Sequence, residues 1–134
     1  MKKMEAAFVE EDFANCKIYA SKILESLPDN VNALRGMGVS YFMEEKYEEA
    51  LQYLAKSLEL SDDKEFDYTY IAWCFCNQGK HLKACETFEK AIAVNPLYEP
   101  ALSGRTQAII HLHGDRLDKV QELENNLQET KNDF

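Results

Sequence analysis

The sequence predicts an all-α fold in which antiparallel helix pairs repeat along a single domain. Shifting the 134-residue chain by 34 residues superposes its apolar positions in one register, without a gap. Within each copy the apolar residues recur at spacings of three and four, which is typical of amphipathic helices. Polar or glycine-containing breaks divide each copy in two. Together these observations predict about seven or eight helices and no substantial strand content.

The repeat register also predicts which side chains fill the core. It matches Leu34, Met37, Gly38, Tyr41, Ala50 and Leu54 with Tyr68, Ile71, Ala72, Phe75, Ala84 and Phe88. The columns of Gly38 and Ala50 hold small residues, Cys16 among them, so paired helices can approach closely there. The column of Leu54 holds large residues that fill the space beside them. In the break between two helices, Gly79 can adopt the left-handed conformation that ends a helix.

This pattern resembles the tetratricopeptide repeat family, whose motif is W-x2-L-G-x2-Y followed by A-x3-F and a later P. The matching residues are Leu34-x2-Met37-Gly38-x2-Tyr41 with Ala50-x3-Leu54, then Tyr68-x2-Ile71-Ala72-x2-Phe75 with Ala84-x3-Phe88 and Pro96. The resemblance is strong over residues 1–98 and looser over 99–134. It implies helix pairs stacked into a right-handed superhelical solenoid, in which the first helix of every pair lines a concave groove.

Four units are predicted within this one domain. They are a truncated first repeat (1–30), a second repeat (31–64), a third repeat (65–98) and a degenerate repeat with a C-terminal capping helix pair (99–134). Only about Lys2 to Glu10 remain for the leading helix of the first repeat, so we expect a fragment or a chain that starts with a short helix. A polar-faced last helix is predicted from about Asp115 to Thr130, where it caps the stack or lies in the groove.

Composition excludes several classes of function. Lys and Arg number 15 and Asp and Glu 24, and the resulting net charge of −9 repels nucleic-acid backbones and anionic membrane surfaces. No apolar run approaches the roughly 20 residues that a membrane span requires, and the acidic start does not resemble a secretory signal. We therefore predict a cytoplasmic protein without nucleic-acid partners or membrane insertion, whose cysteines are reduced.

Three cysteines and a histidine between residues 70 and 85 have the spacing C-x-C-x4-H-x3-C. Because a helix turns by about 100° per residue, Cys74 and Cys76 diverge by about 160° and cannot bind one ion unless the helix unwinds. The repeat places His81 and Cys85 at ordinary helix positions, which favours structural thiols over a zinc site. The sequence also lacks a nucleophile elbow, a phosphate-binding glycine loop and H-E-x-x-H, so we predict neither an enzyme nor a bound cofactor.

A second apolar stripe on the first helix of the third copy is the predicted binding surface. Phe66, Tyr70 and Trp73 lie about 180° from the core stripe of that helix. The resemblance implies that this stripe and the matching columns of the other copies face a ligand. The predicted groove residues are Phe8, Val9, Asn32, Arg35, Val39, Phe42, Met43, Phe66, Tyr70, Trp73, Asn77, Gln107 and Ile110. Gly36 and Gly104 are expected to leave room around the Tyr70 ring.

The predicted function is that of a protein-interaction module, an adaptor or chaperone-like scaffold that holds an apolar or aromatic peptide in the groove. Arg35 is expected to place a polar or acidic group of that peptide. One branch of the family binds the acidic C-termini of heat-shock chaperones through Lys, Asn and Arg on the leading helices. The corresponding columns of this chain hold Glu5, Gly36, Phe66 and Tyr70. This set disfavours an acidic C-terminus as the ligand.

Two other interpretations stay open. In the first, the aromatic stripe packs against neighbouring helices or is covered by the C-terminal helix, and no ligand surface exists. In the second, the chain is a homo-oligomeric structural unit, for example a homodimer, that pairs through its truncated N-terminal end or its groove. Particle size measured across a concentration series distinguishes the second interpretation from a peptide-binding monomer.

Overall fold

The computed structural model describes residues 2–132, with side chains placed for residues 2–129. Within these residues the chain forms seven α-helices and no strand, which confirms the all-α prediction. The helices are α1 (Lys2–Val9), α2 (Phe13–Ser26), α3 (Val31–Met43), α4 (Tyr47–Leu60), α5 (Lys64–Asn77), α6 (His81–Val94) and α7 (Glu99–Asn132).

The turns inside the three helix pairs share one geometry. Glu11, Glu45 and Gly79 are spaced by the repeat length and have positive φ angles of 59°, 62° and 77°. In each turn, the amide of the residue after the positive-φ position donates a hydrogen bond to the carbonyl of the residue five positions before its own. An example is Lys46 N, which donates to Tyr41 O at 2.9 Å. This is the hydrogen bond of a Schellman motif, which satisfies a free carbonyl at a helix C-terminus. The prediction that Gly79 takes the left-handed conformation is confirmed.

The helices form two layers. Each helix packs against the next one in the sequence, and the contacts α1 with α3, α3 with α5 and α5 with α7 also occur. Within residues 2–132, no Cα atoms of two even-numbered helices lie within 8 Å of each other. The odd-numbered helices therefore form the more closely spaced layer. We call it the inner layer, and it carries the concave surface of the helix stack.

Small residues allow the two layers to approach. Ala50 and Ala84 are fully buried, as are the larger Leu54 and Phe88 beside them, so the predicted core columns are confirmed. A Cβ atom added to Gly38 would lie 2.8 Å from Leu54 Cγ, closer than van der Waals contact allows. The close approach of α3 and α4 thus depends on glycine at this position.

The C-terminal segment differs from the predicted helix pair. It is one continuous helix, α7, whose first turns bury Ala101 and Ala108 against the stack. Residues 115–129 are all exposed, and Leu117 retains 69% of its accessible surface. The prediction of a separate capping helix is wrong because Gly114 alone does not end a helix: it costs about 1 kcal/mol relative to alanine, and the helical spacing of apolar residues resumes at Leu117 and Val120. The described part of α7 beyond Gly114 therefore neither covers the stack nor enters the groove.

Candidate functional site

Aromatic side chains line an open cavity on the concave surface. Its volume is about 360 Å³, and α3, α5 and the start of α7 form its walls. We call it the aromatic cavity, and its lining residues are Phe42, Phe66, Thr69, Tyr70, Trp73, Tyr98 and Pro100. Five of these residues are aromatic, and all five are partly exposed. Such a surface can bury the apolar side chains of a ligand.

The rings of the aromatic cavity are held in place by one another and by the core. The Tyr70 ring meets Phe42 edge-on at 5.6 Å between centroids and Phe66 at 5.0 Å. Trp73 packs edge-on against the fully buried Phe88 at 5.4 Å, so its other side remains available to the cavity. Ring pairs at these separations stabilise each other by more than the burial of their apolar surface alone provides. The walls are therefore preorganised before any ligand binds.

A second cavity lies next to the first, between α1, α3 and α5. Its volume is about 260 Å³. We call it the N-terminal cavity, and it is lined by Met4, Glu5, Phe8, Val9, Asn32, Arg35, Gly36 and Phe66. Phe66 lines both cavities, so they lie next to each other along the inner layer. The structure thus brings eight of the thirteen predicted groove residues into two adjoining cavities.

Arg35 is already bound within the chain. Its guanidinium donates to Asp67 through Nε (3.1 Å) and an Nη atom (2.8 Å), and to the Asp63 carboxylate at 2.9 and 3.2 Å. It also lies over the Phe66 ring, 4.7 Å from the centroid. The hydrogen bonds from Arg35 lower the pKa of Asp63. Burial alone would lower the pKa of Arg35, but its bonds to the two carboxylates outweigh burial and raise it. The expectation that Arg35 places an acidic group of a ligand is wrong, because two internal carboxylates occupy that role.

Asp67 is a central residue of this site that the sequence prediction missed. Its carboxylate is fully buried and also accepts hydrogen bonds from Ser57 (2.8 Å) and Ser61 (2.7 Å). The repeat register aligns Asp67 with Ala33 and Ala101, which are both fully buried. A carboxylate in a column of buried alanines must have partners, because burying an unpaired charge is costly. That departure from the repeat is the signal that could have identified it.

The remaining predicted groove residues lie elsewhere. Val39 is 1% exposed and belongs to the core, because neighbouring helices cover this part of α3; its assignment to the ligand surface is wrong. Four others are exposed but line neither cavity: Met43, Asn77, Gln107 and Ile110. The residues that the prediction did not include are Met4, Glu5, Gly36, Thr69, Tyr98 and Pro100.

The two glycines near the groove serve helix packing. A Cβ atom on Gly36 would lie 3.0 Å from the Met4 sulfur, and one on Gly104 would lie 2.4 Å from the ring of Phe88. Each of these added Cβ atoms would point into the helix stack. The expectation that these glycines leave room around Tyr70 is therefore wrong.

The cysteines are divided among three clusters of the core, and Cys76 packs against the cluster that contains Cys85. Cys74 packs with Leu54 and Ile71, whereas Cys85 packs in the cluster around Phe88. Burial raises the pKa of the Cys74 thiol to about 12. Among the residues that the structure describes, no group of three or more His, Cys, Asp or Glu side chains is arranged to hold a metal ion.

Comparison with known proteins identifies the repeat. The tetratricopeptide repeat model matches residues 31–64, and a second model of the same repeat matches residues 68–97. The chain belongs to the tetratricopeptide repeat (TPR) family. A curated relative is the mitochondrial import receptor subunit TOM70 of Saccharomyces cerevisiae, 31% identical over 99 residues. The match covers 74% of this chain but only 15% of the receptor.

Solved TPR structures share the fold at low sequence identity. The TPR domain of Sgt2 from Aspergillus fumigatus superposes with a TM-score of 0.77 at 13% identity, covering 86% of this chain and 78% of that domain. The first TPR of Spaghetti (RPAP3), bound to the HSP90 peptide SRMEEVD, gives a TM-score of 0.76 at 15% identity, covering 84% and 89%. Among the described residues, no helix combines the length and apolar character that crossing a membrane requires.

Proposed function

We propose that this TPR chain is a non-catalytic adaptor or chaperone-like scaffold that binds an apolar or aromatic peptide segment of a partner protein. One observation carries the proposal: five partly exposed aromatic rings, from α3, α5 and the turn before α7, converge on one open cavity. Clustered exposed apolar surface of this kind usually marks an interaction site. No cofactor takes part in this function.

Binding would proceed by burial of a few anchor side chains. The aromatic cavity takes one anchor on Tyr70 and Trp73, and the N-terminal cavity takes another beside Phe8. Because Phe66 separates the two cavities, an extended segment along the inner layer reaches both. The rings are preorganised by their mutual contacts, so binding loses little side-chain entropy.

The relatives support a peptide ligand in this groove. The RPAP3 domain with the same fold holds an HSP90 peptide that ends in EEVD. In this chain the corresponding inner-layer columns hold Glu5, Gly36, Phe66 and Tyr70. The nearby cation Arg35 is bound to Asp63 and Asp67. This composition favours apolar anchors over an acidic C-terminus.

Selection from a display library of random peptides tests the proposal. Peptides enriched on the wild-type chain should carry apolar or aromatic residues, and Tyr70→Ala should weaken their binding in isothermal titration calorimetry. Leu82→Ala is the matched control, because Leu82 is an exposed apolar residue on α6 that lines neither cavity. Enriched peptides that bind Tyr70→Ala as tightly as the wild type would contradict the proposed site, as would a failure to enrich any peptide.

A second candidate is self-association, which the exposed apolar side chains of α7 favour. The exposed residues are Ile110, Leu117, Val120, Leu123 and Leu127. Sedimentation across a concentration series tests it. A particle of twice the chain mass that survives dilution, and that is lost on Leu117→Ser, supports an oligomeric unit.

A further inference from the structure

An acidic residue, Glu65, lies on α5 beside residues that line the aromatic cavity. Glu65 immediately precedes Phe66 on α5, and its carbonyl accepts a hydrogen bond from the Thr69 hydroxyl at 2.7 Å. Residues four apart on a helix share a face, so Glu65 lies on the same side of α5 as the cavity-lining Thr69. Burial raises the pKa of the cavity-lining Tyr98, and the negative charge of Glu65 raises it further.

The neighbouring ion cluster does not cancel the charge of Glu65. Arg35 and Lys64 carry two positive charges against the two carboxylates of Asp63 and Asp67, so the charge of Glu65 is left in excess. The ammonium of Lys64 donates to the carbonyls of Leu58 and Ser61 at the end of α4. The chain as a whole carries a net charge of −9. Electrostatics at this site therefore attract a cation and repel an anion.

Aromatic walls suit a cation as well as an apolar group. The negative faces of aromatic rings attract guanidinium and ammonium groups, most strongly where water is excluded. Phe66 already carries the Arg35 guanidinium over one of its faces, 4.7 Å from the ring centroid. A wall of this cavity thus accepts a guanidinium within the chain itself.

We propose that the aromatic cavity takes an arginine side chain of the partner peptide, stacked on the rings of Tyr70 and Trp73 with Glu65 as its nearest counter-charge. This inference rests on the proposed peptide-binding function and specifies the ligand that the groove selects. It reverses the charge of the acidic peptide in the RPAP3 structure. The partner would present a basic residue beside its apolar anchors.

Three small probes of similar size test the charge preference: n-butylguanidinium, the neutral n-butylurea and the anionic pentanoate. The indole N–H of Trp73 is the reporter, since the chain contains a single tryptophan. NMR titration should give n-butylguanidinium an affinity about tenfold higher than n-butylurea, as a desolvated cation–π contact provides, and no saturable shift with pentanoate. Glu65→Gln should reduce the preference for the cation at least threefold without changing the affinity for n-butylurea. Glu25→Gln on α2, an exposed carboxylate away from the cavity, is the control.

Each outcome decides the inference. Equal affinity for n-butylurea and n-butylguanidinium, tighter binding of pentanoate, or no shift of the Trp73 resonance with any probe would overturn it. A cation preference that Glu65→Gln leaves intact would overturn the role of that carboxylate. Peptides selected from the library separate this result from the proposed function. If the selected peptides are apolar, require Tyr70 and gain no affinity from an arginine, the peptide-binding function is supported and only its charge selectivity is contradicted.

Discussion

Arg35 on α3 and Asp67 on α5 form a two-bonded ion pair between the first helices of successive repeats, with donor–acceptor distances of 3.1 and 2.8 Å. The Arg35 side chain is 13% exposed and that of Asp67 is fully buried. Because Arg35 also covers one face of Phe66, the pair fixes the wall that separates the two cavities. The charged pair thereby links the relative position of two repeats to the shape of the candidate site.

Removing one partner of this pair should be strongly destabilising. Asp67→Ala leaves the Arg35 guanidinium with Asp63 alone and leaves the hydroxyls of Ser57 and Ser61 without their acceptor. Breaking a buried pair in this way costs about 3–5 kcal/mol. The free energy of unfolding from urea denaturation is the measurement. The double variant Arg35→Met with Asp67→Ala should recover part of the loss, since it leaves no buried charge unpaired. Asp63, whose side chain is 61% exposed, is then solvated by water, whereas Ser57 and Ser61 still lack their acceptor. A single variant as stable as the wild type would show that the pair contributes little.

The sequence predicted the helices and most of the core because burial follows the helical period. Leu54 and Phe88 recur in one column, and any helix pair of this spacing must bury them. Asp67 could not be predicted in the same way, because its partners are Arg35 on α3 and two serines at the end of α4, and only the folded structure brings them together. Val39 could not be placed from the sequence for a similar reason. Its position around α3 predicts that it faces the groove, but neighbouring helices cover its side chain in the folded structure.

Two glycines should respond in opposite ways to alanine. Gly104→Ala places a Cβ 2.4 Å from the fully buried Phe88 ring, which has no room to move, so we expect a loss of about 1–3 kcal/mol from overpacking. Gly114→Ala meets no atom within 4 Å and removes the helix penalty of glycine, so it should gain up to about 1 kcal/mol. Melting temperatures of the two variants check this contrast. Equal shifts would show that α7 does not pack against α6 as described.

The positive-φ turns allow a similar test. Glu45 holds a left-handed conformation that costs a residue with a Cβ about 1–2 kcal/mol, a cost that Gly79 avoids at the matching position. Glu45→Gly should therefore raise the free energy of unfolding by about 0.5–1 kcal/mol, and Gly79→Ala should lower it by about 1 kcal/mol. Chemical denaturation of both variants is the measurement. Stabilisation by Gly79→Ala would contradict the shared turn geometry.

The cysteine thiols should react slowly in the folded chain. Burial raises the pKa of Cys74 to about 12 and that of Cys76 to about 11, so little thiolate forms near neutral pH. A thiol-reactive disulfide reagent should modify all four cysteines rapidly in denaturant and much more slowly without it. The raised pKa values favour the folded state below the ordinary thiol pKa of 9.0, and this contribution is lost as pH rises toward about 11 and 12. Rapid reaction of Cys74 in the native chain would show that its helix is not packed as described.

Trp73 connects the core with the candidate site, and its substitution separates the two roles. One side of its ring packs on Phe88 and the other lines the aromatic cavity. An apolar peptide should bury the indole further and shift its fluorescence to the blue. Trp73→Ala should weaken peptide binding by about 2 kcal/mol or more, as central aromatic anchors do. It should cost less stability than the roughly 3–5 kcal/mol of a fully buried tryptophan, because only part of the ring is packed.

Tyr53→Ala is the matched control for this prediction. Tyr53 lies on α4, is also partly buried and stacks on Tyr41 at 5.7 Å between ring centroids, but it lines neither cavity. Its removal should lower stability and leave peptide affinity unchanged. If Trp73→Ala behaves like Tyr53→Ala, losing stability with no change in the affinity of the peptide, then Trp73 is a core residue and the aromatic cavity is not where the peptide binds.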